Sequence, residues 1–162
     1  MTQRKIVKAL FAAVLPLLAS SAMAQMPNPY GMAINLESAR KAAAPALAEA
    51  RKNNWTMAIA VVDTGGTLVY FEKLDNTQAG SAQVAINKAR SAVLFKRPTK
   101  AFQDALAAGG DGLRILRLEG AVPIEGGIPL VVEGKIVGAI GVSGGTSAQD
   151  NQCAKAGADA LK

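Results

Sequence analysis

The chain has 162 residues, half of them hydrophobic, with eighteen basic and twelve acidic side chains for a formal net charge of +6. It contains no histidine and a single cysteine, Cys153, which excludes an intramolecular disulfide, Ser-His and Cys-His catalysis, histidine-bound zinc and a histidine-ligated haem iron within this chain. At this length one domain is expected.

Arg4, Lys5 and Lys8 open a basic segment, followed by the apolar run ALFAAVLPLLA and the small-x-small triplet Ala22-Met23-Ala24. That order is the pattern of a secretory signal peptide over residues 1–24, cleaved before Gln25, with the periplasm or the medium as destination. The apolar run falls short of the roughly 20 residues that cross a bilayer, so the mature chain is expected to have no membrane span. Three of the basic residues leave with the leader, and the remaining cations are dispersed rather than set among aromatics. Nucleic acid is therefore not an expected partner.

Residues 25–34, with MPNPYGM at their centre, read as an irregular arm, and residues 35–162 as the folded domain. NLESARKAAAPALAEARKNN predicts a helix capped by Asn35, with a kink or break at Pro45. TMAIAVVDTGGTLVYFEKLD predicts a hairpin turning at Asp63-Thr64-Gly65-Gly66. From Thr77 a second helix runs towards Pro98, with Ala82, Ala85, Ala89 and Ala92 forming a narrow stripe on which the axis can lie close to a sheet or a partner helix. A short helix, KAFQDALAAGG, ends on Gly109 and Gly110. DGLRILRLEGAV is ambiguous between a helical turn and a strand. EGGIPLVVEGKIVGAIGVSGG predicts a second hairpin turning at Glu133-Gly134, and SAQDNQCAKAGADALK a final helix. The order α, ββ, αα, ββ or βββ, α, without repeated βαβ crossovers, implies an α+β fold: an antiparallel sheet with helices packed on it.

The stretch GVSGGTSAQD, Gly141 to Asp150, combines strand, glycine turn and helix start. Glycines let the backbone approach a ligand, and the first amides of the helix could hold an anion. The competing reading is a tight turn, with Ser147 and Asp150 spaced as a capping box that fills those amides itself. Lys88 stands at the edge of the alanine stripe, either as solvated surface or as a cation reaching past the sheet. Lys96 and Arg97 suit a last helical turn through the helix dipole. Asp63 is an ordinary turn former that could also serve as a base. Cys153 reads as a small buried side chain or, alternatively, a reactive thiol. These residues define no catalytic or metal-binding set.

Three segments, AIAVVDTGGTLVYFEKLD, AINKARSAVLFKRPT and GGIPLVVEGKIVGAIGVSGGTSAQDNQCAKAGADAL, resemble the GlcG/HbpS family of haem-binding proteins. That family is related to the C-terminal domain of PduO-type corrinoid adenosyltransferases. The resemblance spans Asn35 to Leu161. It implies a profilin-like α+β domain with a five-stranded antiparallel sheet and flanking helices, assembling as a homo-oligomer. The matching positions are Asp63, Gly65, Lys88, Pro98, Thr99, Gly126, Gly127, Gly144, Gly145 and Asp150. With Arg97 added as a partner for propionates, Lys88, Asp63, Arg97, Thr99, Gly126, Gly127, Gly144, Gly145 and Asp150 are the expected ligand-binding residues. Two departures stand out: Lys73-Leu74-Asp75 occupies a place where relatives often carry Arg-Met-Asp, and histidine is absent. The implied function is an exported small-molecule-binding protein for haem, without histidine ligation, or a related tetrapyrrole. The alternatives are an enzyme degrading or transforming haem or a small organic acid, and a non-catalytic accessory oligomer for a neighbouring exported enzyme or sensor.

Overall fold

A computed structural model describes residues 28–162; the leader and its cleavage site lie outside them. Helix α1, Leu36–Lys52, begins where Asn35 Oδ1 accepts from the Ser38 N–H at 2.8 Å. It continues as one helix through Pro45, so of the kink or break expected there the break does not occur. The proline removes one intrahelical bond, yet Ala39, Ala42, Ala43, Ala46 and Ala50 are all buried on either side of it. Packing of that alanine row against Ile59, Val61 and Ala154 holds the helix across the gap.

Strands β1, Ala58–Asp63, and β2, Leu68–Lys73, form the first hairpin, and β3, Gly127–Val132, and β4, Lys135–Ser143, the second. The order is β2-β1-β4-β3, antiparallel throughout. Central β1 is covered on both faces, so Ala58 to Val62 read as one apolar run and are fully buried. Ile59 and Val61 join the core under α1, while Ala58, Ala60 and Val62 face helix α2, Ser81–Leu94. The alanine stripe on α2 packs on the sheet at three of its four positions, with Ala82 only partly buried. Ala85, Ala89 and Ala92 are buried against the sheet, and a Cβ on Gly141 would come within 2.1 Å of the Ala85 carbonyl.

Among the described residues the sheet has four strands, not five. The ambiguous segment folds as a 3-10 helix, Gly110–Arg117, after helix α3, Lys100–Ala107. The described part of the arm meets the sheet through an isolated bridge, Tyr30 to Ile136, made through Pro29 O and Gly31 N, and through the Ile34 N–H on the Val137 carbonyl. Pro29 has no N–H to give, which stops the arm from extending as a ladder. Helix α2 also ends sooner than expected, at Leu94, so Lys96 and Arg97 lie beyond its last turn. Lys96 adopts a left-handed φ of 53° and places Nζ 4.2 Å from the centre of the Tyr30 ring. Helix α4, Ser147–Asp159, is capped by Thr146, not Ser147. Thr146 and Gln149 form the capping box one position before the expected pair, which frees Asp150 for other bonds. Among the described residues, no helix is long and apolar enough to cross a membrane.

Candidate functional site

Seven of the nine expected ligand-binding residues meet at one end of the sheet. Lys88, on the sheet side of α2, is 1% exposed, and Asp150, in the first turn of α4, is 3% exposed. Lys88 Nζ donates to Asp150 Oδ2 at 2.7 Å and to the Val142 carbonyl at 3.1 Å. The second oxygen of Asp150 accepts from the Gly145 N–H at 3.0 Å, which closes the turn after β4. Burial lifts the Asp150 carboxyl above its ordinary range, opposed by the Lys88 ammonium and by the Gly145 and Gly144 amides. The lysine is neither solvated nor reaching past the sheet, because its long stem crosses the alanine stripe inward.

The glycines of this end make room for that pair. Gly126 has a φ of 116°, and a Cβ there would stand 2.9 Å from Asp150 Cβ and 3.0 Å from Lys88 Nζ. A Cβ on Gly127 would come within 2.3 Å of the Lys88 carbonyl. Thr99, fully buried before α3, accepts from the Gly127 N–H through its Oγ1 at 2.9 Å. Gly144 and Gly145 lie against Met57 and Gln149. Together these contacts tie α2, α3, β3, β4 and α4 into one buried polar knot. Lys88 is closed off by burial, at 1% exposure, and the turn amide of Gly145 is occupied by Asp150.

The other two residues lie elsewhere. Asp63 pairs with Gly138 at the far end of β1, roughly 17 Å along the strand from the knot. Its Oδ1 accepts from the Gly65 and Thr67 N–H groups, the work of a turn former. Arg97 is exposed, its Nε donating to the Phe95 carbonyl and its guanidinium 5.6 Å from the centre of the Phe102 ring.

Surface cavities also lie outside the knot among the described residues. One, of about 200 Å³, lies under the arm among Met32, Ile34, Ser38, Val132, Val137 and Leu161 and has no charged lining. Another, of about 370 Å³, lies on the outer side of α2, between Asn87, Arg90 and Leu94 and the Gly120–Val122 segment. Asn87, Arg90 and Leu94 are spaced three and four residues apart, a helix face legible in the sequence. The segment opposite them was not legible, because its fold as a 3-10 helix and loop was ambiguous. The Val122 N–H donates to Ser91 Oγ at 3.0 Å and fixes that wall.

A family model described as "Haem degrading protein HbpS-like" matches residues 34–159. The chain belongs to the HbpS-like family. Protein GlcG of Escherichia coli strain K12 is 40% identical over 95 residues, which cover 59% of this chain and 69% of GlcG. The crystal structure of a double mutant of Streptomyces reticuli HbpS superposes with a TM-score of 0.74 at 29% identity, covering 97% of this chain and 99% of that one. The structure of a PduOC–haem complex has a TM-score of 0.72 at 24% identity over 81% of this chain and 96% of that one, and so shares the fold. In this HbpS-like chain seven of the ten positions that carried the resemblance meet in the closed knot, Asp63 and Gly65 lie at the β1–β2 turn, and none of the ten lines the open cleft on α2.

Proposed function

We propose that this protein binds haem or a related tetrapyrrole and that it does so after export. Membership of a family described by haem degradation is the observation that carries the reading. A protein of the same fold, PduOC, has been crystallised with haem, and this supports it.

The side chains present bear on how the iron is met. Iron takes histidine, cysteine, methionine or tyrosine ligands, and histidine is absent. Cys153 is fully buried and its thiol is pushed up to about 12, chiefly by burial, so it stays protonated. Met57 is fully buried, the Tyr70 hydroxyl donates to Glu72, and the Thr99 hydroxyl is engaged by Gly127. Tyr30 and Met32, both exposed on the arm, are the remaining phenol and thioether outside the core among the described residues, and the Tyr30 hydroxyl donates to the Val93 carbonyl at 2.8 Å. The ring is therefore held mainly through apolar contact and pairing of its carboxylates with cations.

A Soret band in protein purified from haem-replete cells tests the reading directly. Quenching of Trp55, the single tryptophan, by haem and by iron-free protoporphyrin should then give affinities within about tenfold of each other, or roughly 1.4 kcal/mol. Haem binding far tighter than the iron-free ring shows a strong axial ligand and overturns this account of the iron. Binding of neither ring leaves the accessory role as the better reading.

The family description also favours a second reading, in which bound haem is degraded. Loss of the Soret band under a reductant and oxygen, faster than for free haem, supports it, and an unchanged rate removes it. Export predicts a periplasmic chain beginning at Gln25 by mass spectrometry. Homo-oligomerisation is proposed with it, supported by the exposed Leu113, Leu116, Leu118 and Ile124. A monomer mass by light scattering at micromolar concentration rules it out.

A further inference from the structure

The cleft on the outer side of α2 combines the properties of a carboxylate-recognising site. Arg90 Nε donates to the Gly66 carbonyl at 3.0 Å, which anchors the guanidinium on the β1–β2 turn. No carboxylate among the described residues pairs with it, unlike Arg51 with Glu72 or Arg114 with Asp111. Its two terminal NH2 groups thus form a fixed, unspent fork on the cleft wall, the geometry that suits a carboxylate. One turn earlier, Asn87 Oδ1 accepts from Gln83 Nε2 at 2.8 Å, leaving the Asn87 amide N–H groups as further donors. The rest of the lining is apolar or glycine: Leu94, which is 51% exposed, with Ala121, Val122 and Gly120. A Cβ on Gly120 would find only the Phe95 ring nearby, at 3.9 Å. A volume of about 370 Å³ lies near the small end of ligand sites, which run from about 300 to 1,000 Å³. It suits one edge of a broad ligand rather than the whole of it.

We propose that this cleft seats the carboxylate edge of a flat, apolar ligand, with Arg90 clamping the carboxylate and Leu94 and Val122 meeting the ring. Resting on the tetrapyrrole reading above, this assigns the propionate-bearing edge of the macrocycle to the Arg90 side of α2. The buried Lys88, two residues away, has no part in it.

The test uses the mature chain with protoporphyrin IX and its dimethyl ester, which keeps the ring and masks both carboxylates. Arg90→Gln should weaken the free acid at least tenfold and leave the ester unchanged, while Arg90→Lys recovers part of the loss. Leu94→Glu, at an exposed position, should also weaken the free acid by placing a negative charge at the mouth. Thermal melts by circular dichroism check that each variant folds, and the Leu94 variant decides if the Arg90 variant does not. Equal affinity of the free acid for wild type and the folded variants overturns the cleft and leaves tetrapyrrole binding intact. Wild-type protein that binds neither haem nor protoporphyrin removes that reading, and the cleft assignment falls with it.

Discussion

Lys88 and Arg90 stand two residues apart on the same helix and meet opposite fates. Lys88 points into the sheet, where the alanine stripe lets a long stem pass and Asp150 waits for its charge. Arg90 points outward, tied by one nitrogen to a turn carbonyl, with the rest of its fork facing an open cleft. Two positions along a helix is about 200° of rotation, enough to separate core from solvent. The inner cation is a structural fastener and the outer one is available for recognition. A charge in a familiar sequence position is therefore no guide to function until its side of the helix is known.

The comparison breaks most readily at the inner face. Lys88→Met leaves Asp150 buried without its partner and should cost about 3–5 kcal/mol, read from urea unfolding. Adding Asp150→Leu should recover most of that loss, because an apolar pair of similar volume replaces a desolvated ion pair. A single variant that unfolds at the wild-type midpoint contradicts a sealed pair. Gly127→Ala drives a Cβ against the Lys88 backbone and should cost about 1–3 kcal/mol. Gly65→Ala, whose Cβ would meet nothing nearer than Asp63 Oδ1 at 3.4 Å, should stay within about 0.5 kcal/mol.

A smaller effect comes from Asp150 itself. Burial raises its folded pKa above the ordinary 3.8, so the folded chain holds this proton more tightly than the unfolded chain does. Its contribution to stability is fully present below pH 3.8 and is lost as pH rises through the folded value. Stability of the wild type relative to Asp150→Asn should accordingly fall as pH increases across that window, measured by urea titrations in parallel. A constant difference would mean that the pairing with Lys88 cancels the cost of burial. The smallest stability change belongs to the outer face: Arg90→Gln should move unfolding by about 0.5 kcal/mol or less, although it weakens ligand binding at least tenfold. A large loss of stability there would make Arg90 a second fastener and erase the contrast.

Much of the molecule was legible before its structure. Both hairpins, their turns at Asp63–Gly66 and Glu133-Gly134, the Asn35 cap, the inward alanine stripe and the burial of Cys153 follow from local rules: period, turn chemistry and side-chain size. The errors have local causes too. A capping box can slide by one residue when Thr precedes Ser, as Thr146 precedes Ser147. A proline inside a helix is tolerated when the flanking alanines are held by packing. A segment such as DGLRILRLEGAV carries no period strong enough to choose its own form.

By itself the sequence determined the α+β class and the missing histidine chemistry, which depend on residue type and near-neighbour spacing, while its resemblance to a known family supplied the family and singled out the residues that meet in the knot. Only the tertiary structure decided that Lys88 and Asp150, 62 positions apart, spend their charges on each other and that Arg90 keeps its fork free. Pairing across such a separation depends on how α2, β4 and α4 pack around one glycine-lined space, and no periodicity within a single helix encodes that distance.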